Sequence, residues 1–102
     1  MRQGYPPVIN DPELTRLLRR EARSLFGAHA VREIERSSMG AEDFSPYLDH
    51  APGCMLRLGV GRRSDGEDPH LHTSAFDPDE AALPVGTALM AASALRWLQE
   101  LR

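Results

Sequence analysis

Residues 84–101 constrain this chain most. Pro84 to Leu101 reads as one long helix whose main apolar stripe is Val85, Ala88, Leu89, Ala92 and Leu95, with Pro84 as a first-turn residue or a kink. Met90, Ala91 and Ala94 widen the apolar surface well beyond that stripe, and a helix this apolar needs cover on more than one side. The whole chain is 102 residues, one domain at most, so residues 1–102 are read as a single unit with one modest core.

The remaining elements set what could provide that cover. Gly4-Tyr5-Pro6-Pro7-Val8-Ile9 is extended, because its two prolines fix φ and remove two amide donors. A helix then starts at Asn10-Asp11-Pro12-Glu13. Asn10 or Asp11 can cap it, Pro12 suits the first turn, and Glu13 stands three residues after Asn10 as in a capping box. Leu14, Leu17, Leu18, Ala22, Leu25 and Phe26 follow at helical spacing, and Gly27 can end the run.

Ala28 to Arg36 is a weaker strand candidate, closed by the break Ser38-Met39-Gly40, and Phe44, Tyr47 and Leu48 mark a short helical turn. After the turn Ala51-Pro52-Gly53, residues Cys54, Leu56, Leu58 and Val60 alternate with Met55, Arg57 and Gly59, as in a strand with one apolar face. Arg62 to Asp68 is a charged loop, and Asp77 can cap the next helix with Glu80 three residues on. The expected architecture is α/β: a partial layered unit in which two or three strands hide little apolar surface.

Composition excludes several classes. Hydrophobic residues at 41% and charged ones at 26% argue against wholesale disorder, and no apolar run approaches the ~20 residues of a membrane span. Fifteen acids against twelve bases, all arginine, leave a net charge of −3, which argues against nucleic acid or an anionic membrane as partner. Arg16, Arg19, Arg20 and Arg23 form a basic helix face, read as a solvated surface. Cys54 is the only cysteine, so an internal disulfide is impossible, and a cytoplasmic setting fits. The first residues, Met1 to Pro7, lack the apolar stretch of a signal peptide.

Two clusters could carry chemistry. In an extended segment His70 and His72, two residues apart, would point the same way and could reach one metal, but zinc needs three or four ligands. Asp65, Glu67 and Asp68 lie nearby in a loop that solvation explains. Glu42-Asp43 could support an imidazole, or could simply favour a helix N-terminus through its dipole. His29 and His50 have no partner pattern, and Cys54 reads as a small core residue. No Gly-x-Ser-x-Gly elbow or phosphate-binding glycine loop is present.

Four blocks taken jointly go further. They are Gly4-Tyr5-Pro6-Pro7-Val8-Ile9-Asn10-Asp11; Met39-Gly40-Ala41-Glu42-Asp43-Phe44-Ser45; Pro52-Gly53-Cys54 through Leu58-Gly59; and His70-Leu71-His72-Thr73 with Phe76-Asp77 and Asp79-Glu80. In this order and spacing the chain resembles the C-terminal part of the metal-dependent amidohydrolases of metallopeptidase family 20, which include aminoacylases, hippurate hydrolases and carboxypeptidases. The resemblance implies the C-terminal piece of a catalytic domain with a dinuclear zinc or manganese site. It makes His72 a metal ligand, sets His70 aside, and places Glu42 and Asp43 beside the site in a supporting role. No catalytic residue is carried over.

The family's other ligands, its His-x-Cys-Gly-His-type block and its catalytic Glu-Glu pair have no counterpart in these residues. The expectation is therefore a truncated amidohydrolase, inactive by itself and holding no metal tightly. It would either self-associate as a homo-oligomer or join a separately encoded N-terminal part. The alternative is a non-enzymatic α/β module that self-associates or binds a partner.

Overall fold

A computed structural model describes residues 4–36, 42–62 and 70–101. Helix α1 spans Pro12–Phe26 and helix α2 spans Ala82–Glu100. Between them lie short 3-10 turns at Ala28–Ala30 and Ser45–Asp49 and otherwise irregular chain.

Local signals explain α1. The Asp11 carboxylate accepts the backbone N–H groups of Glu13 and Leu14, both at 2.9 Å, which satisfies two of the donors a helix start leaves open. Gly27 ends the helix at φ 92°, a left-handed-side conformation that favours glycine, and its N–H returns to the Arg23 carbonyl. Of the two candidate caps, Asp11 does the capping. Asn10 turns away and pairs with Met55 instead, donating to its carbonyl and accepting from its N–H, each at 2.9 Å.

Helix α2 begins at Ala82, two residues before Pro84, which the first turn accommodates. No side chain at its N-cap accepts a hydrogen bond, so the expected Asp77 cap is not formed. Asp79 instead accepts from the Ala81 N–H at 3.0 Å, while Asp77 faces Arg62 at 3.5 Å.

The two helices pack on each other. Leu17 and Ala22 of α1 and Leu89 of α2 are the buried hydrophobic residues among those described. Glu21 is buried beside them and receives Arg96 from α2 at 3.2 Å and Arg20 at 3.5 Å. Arg20 also bridges to Glu100, and that hydrogen bond is the main cause of a guanidinium pKa raised above its ordinary value. The Ser93 hydroxyl is buried without a hydrogen-bond partner.

Of the expected α2 stripe only Leu89 is buried; Val85 and Ala92 are half-buried, and Ala88 and Leu95 are exposed. Cα atoms spread over a radius of gyration of 15.5 Å, larger than the ~13 Å of a compact domain this long.

The α/β expectation is corrected here, because the described residues contain no strand. Residues 54–60 keep part of their alternation, with Cys54, Leu58 and Val60 half-buried and Arg57 and Gly59 exposed. Leu58 reaches α2, where a side chain at Gly86 would collide with it. A strand nevertheless exists only by exchanging backbone hydrogen bonds with another strand, and alternation cannot supply that partner. This segment is tied instead at its ends: Asp11 N–H to Gly53 at 2.8 Å, the Asn10 side chain to Met55, and Asp79 N–H to Val60 at 2.8 Å. The second strand candidate, Ala28 to Arg36, is a 3-10 turn followed by irregular chain. The break at Ser38-Met39-Gly40 and the loop acids Asp65, Glu67 and Asp68 lie outside the described residues.

Candidate functional site

His72 sits on a turn, not in an extended segment. Residues Leu71 to Ala75 bend the chain, the Thr73 hydroxyl donates to the His70 carbonyl at 2.8 Å, and the Phe76 N–H returns to Thr73 at 3.2 Å. The period-two argument for His70 and His72 facing one metal therefore fails. The loop that bears His72 is closed at its base, where Arg62 donates to the Pro78 carbonyl at 3.0 Å beside the Val60–Asp79 pair.

His72 has φ 67°, and among the described residues it is the one non-glycine with positive φ. Its side chain is exposed. A left-handed conformation costs an L-residue roughly 1–2 kcal/mol, somewhat less for histidine than for a branched side chain. If nothing in the fold rewards the imidazole, His72→Gly should raise stability by about 0.5–1 kcal/mol, read from the urea midpoint. A loss of stability would mean that the turn itself needs the imidazole.

Glu42 and Asp43 lead into the 3-10 turn Ser45–Asp49. The Glu42 carbonyl accepts both the N–H and the hydroxyl of the buried Ser45, at 3.3 and 2.8 Å, while Asp43 is exposed. Phe44 and Leu48 close over Gly53, where an added Cβ would lie 2.5 Å from Leu48 Cδ2. An open cleft of about 480 Å³ runs between Ile9–Pro12 and Leu48–Gly53; His72 is not part of it.

Among the described residues no three or more of His, Cys, Asp and Glu converge on a point that could hold a metal ion. These residues alone do not fit a metal centre. Cys54 lies half-buried with its Sγ 3.4 Å from the Thr15 hydroxyl. The basic face of α1 is partly neutralised, since Arg19 pairs with Glu33 at 3.1 Å and Arg20 with two acids. The pairing of Asn10, read from the sequence as a candidate cap, with Met55 and that of Arg62 with Pro78 were not legible in the sequence. Both act across chain separations that spacing does not reveal.

The chain belongs to peptidase family M20/M25/M40, whose family model matches residues 1–96. It is similar to a protein of Synechocystis named "Probable hydrolase sll0100", 40% identical over 98% of this chain and 25% of that protein. It is also similar to an Arabidopsis thaliana protein named "IAA-amino acid hydrolase ILR1-like 4", 31% identical over 96% of this chain and 22% of the relative.

A third relative, from Rhodococcus jostii, is named "Putative glutamate--cysteine ligase 2-3"; it is 41% identical over 88% of this chain and 11% of its own length. The chain thus spans a quarter or less of each of these relatives. No solved structure matches it. Enzymes of the family are metal-dependent. No described helix is long and apolar enough to cross a membrane.

Proposed function

We propose that this chain is the part of an M20-type amidohydrolase domain that brings one metal ligand, the imidazole of His72, to an amide-hydrolysing centre whose other groups lie outside these residues. The observation that carries the reading is the left-handed, exposed His72. Backbone strain at an exposed side chain is the kind of feature that marks sites where the side chain is presented for function. The family match and the hydrolase names of two relatives support the reaction class; N-acyl amino acids as the substrate class and zinc or manganese as the metal are proposed from the family resemblance alone. Glu42 and Asp43 stand by as supporting groups, and neither is assigned a proton-transfer role.

A water-activating metal needs several fixed ligands and a general base, and one imidazole provides neither. The purified chain with zinc or manganese should therefore give no turnover of N-acyl amino acids. Co-expression with the preceding three-quarters of the Synechocystis relative should produce metal-dependent hydrolysis. In that pair His72→Ala should lower the rate by ~100-fold or more, while His70→Ala should leave it near the starting value. Chelator-sensitive turnover by the chain alone would overturn the reading, and so would a paired enzyme indifferent to His72→Ala.

A further inference from the structure

We propose that Arg62 is a positioning residue: it clamps the exit of the turn bearing His72 and thereby holds that residue in its left-handed conformation. The clamp is independent of any catalytic role; its bearing on hydrolysis rests on the reading of His72 given above. A non-glycine residue at φ 67° persists only where its surroundings over-determine the backbone. The His72 side chain is exposed, so packing of the imidazole supplies little of that restraint. The backbone on either side must supply it.

A continuous run of contacts does so. Before His72 the His70 carbonyl accepts the Thr73 hydroxyl at 2.8 Å, and after it the Thr73 carbonyl accepts the Phe76 N–H at 3.2 Å. Both bonds are local to an exposed turn, where water competes for the same groups. The residues after Phe76 anchor them. Arg62 donates through Nη2 to the Pro78 carbonyl at 3.0 Å and faces the Asp77 carboxylate through Nη1 at 3.5 Å, so one planar guanidinium grips two consecutive residues. Pro78 has a fixed φ and biases Asp77 toward extended backbone, which leaves little slack between the grip and Phe76. The Val60–Asp79 pair, at 2.8 Å, ties the same strut to the 54–60 segment, and Asp79 accepts from Ala81 at the start of α2. That pair alone would let Asp77 and Pro78 swing about a single hydrogen bond; the guanidinium adds the second point that fixes their orientation.

In the full chain a positive φ at His72 should give a strong NOE between its own amide proton and Hα, which that conformation brings close together. Arg62→Met keeps the apolar stem and removes the donors; it should abolish the strong NOE while the circular dichroism of the helices stays unchanged. Arg62→Lys keeps the charge and a donor, and should restore it. In the co-expressed pair, Arg62→Met should lower kcat by ~10-fold or more with KM within about twofold, and Arg62→Lys should recover most of the rate. If Arg62→Met costs helicity, Asp77→Ala, which leaves Arg62 in place, decides by the same NOE. A weak NOE in the parent chain overturns the proposal, as does an unchanged NOE in the deciding variant or a lysine variant no better than methionine. A kcat that falls with His72→Ala but ignores Arg62→Met also overturns it. Failure of the hydrolase reading is separate: it appears as a pair indifferent to His72→Ala, whatever Arg62→Met does to the NOE.

Discussion

Leu89→Ala should abolish the cooperative unfolding transition of the chain and lower its helical signal even without denaturant. The side chain is 7% exposed and belongs to a hydrophobic core that otherwise comprises Leu17 and Ala22 among the described residues. Truncating a buried leucine removes roughly 2–5 kcal/mol, from lost transfer energy and from the cavity left behind. Whole domains are stable by only about 5–15 kcal/mol, and a chain with so small a core belongs at or below the bottom of that range. One such substitution is then comparable to everything holding α1 and α2 together. Leu98→Ala is the control. At 59% exposure it should cost under ~0.5 kcal/mol. Circular dichroism under urea distinguishes the two. A Leu89→Ala variant that unfolds cooperatively within ~0.5 kcal/mol of the parent would show that the helices are held by something other than their apolar contact.

What the sequence made legible follows from the range over which each signal acts. Helix α1 could be read because its cap, its proline and its closing glycine are neighbours in the chain, and Asp11 and Gly27 act as their types predict. Helix α2 could be read from its apolar density, though its cap could not: Asp77 and Asp79 suit the role equally by type, and contact with Arg62 occupies Asp77. The 54–60 segment was misread for a different reason. Its alternation reports which side chains face an apolar neighbour, and Leu58 does face α2 at Gly86. Alternation is silent about which backbone would pair with it, and the described residues offer the Asn10 carboxamide where a strand was expected. His72 was visible through resemblance to a family. Its left-handed turn was not, since neither Thr73 nor Phe76 marks a bend by residue type.

The second large effect should come from Glu21, a buried carboxylate serving as the polar joint between the helices. It is 8% exposed, and its Oε1 accepts the Nε of Arg96 from α2 and the Nε of Arg20 from its own helix. Burying a carboxylate is costly unless hydrogen-bonded cations compensate, so the geometry is needed to make the charge tolerable there. Glu21→Ala should destabilise the chain by about 2 kcal/mol, as expected for losing hydrogen bonds to charged groups. The effect stops short of the ~3–5 kcal/mol seen on breaking a fully buried pair. Arg96 and Arg20 keep 49% and 55% of their side chains in water, which screens the attraction and leaves them solvated once the acid is gone. Glu21→Gln keeps the size and one acceptor oxygen and should cost about half as much. A double-mutant cycle with Arg96→Ala isolates the interhelix term, and a coupling energy of about 1 kcal/mol is expected. Strict additivity would mean that Glu21 stabilises α1 through Arg20 alone and that apolar contact carries the helix pair unaided.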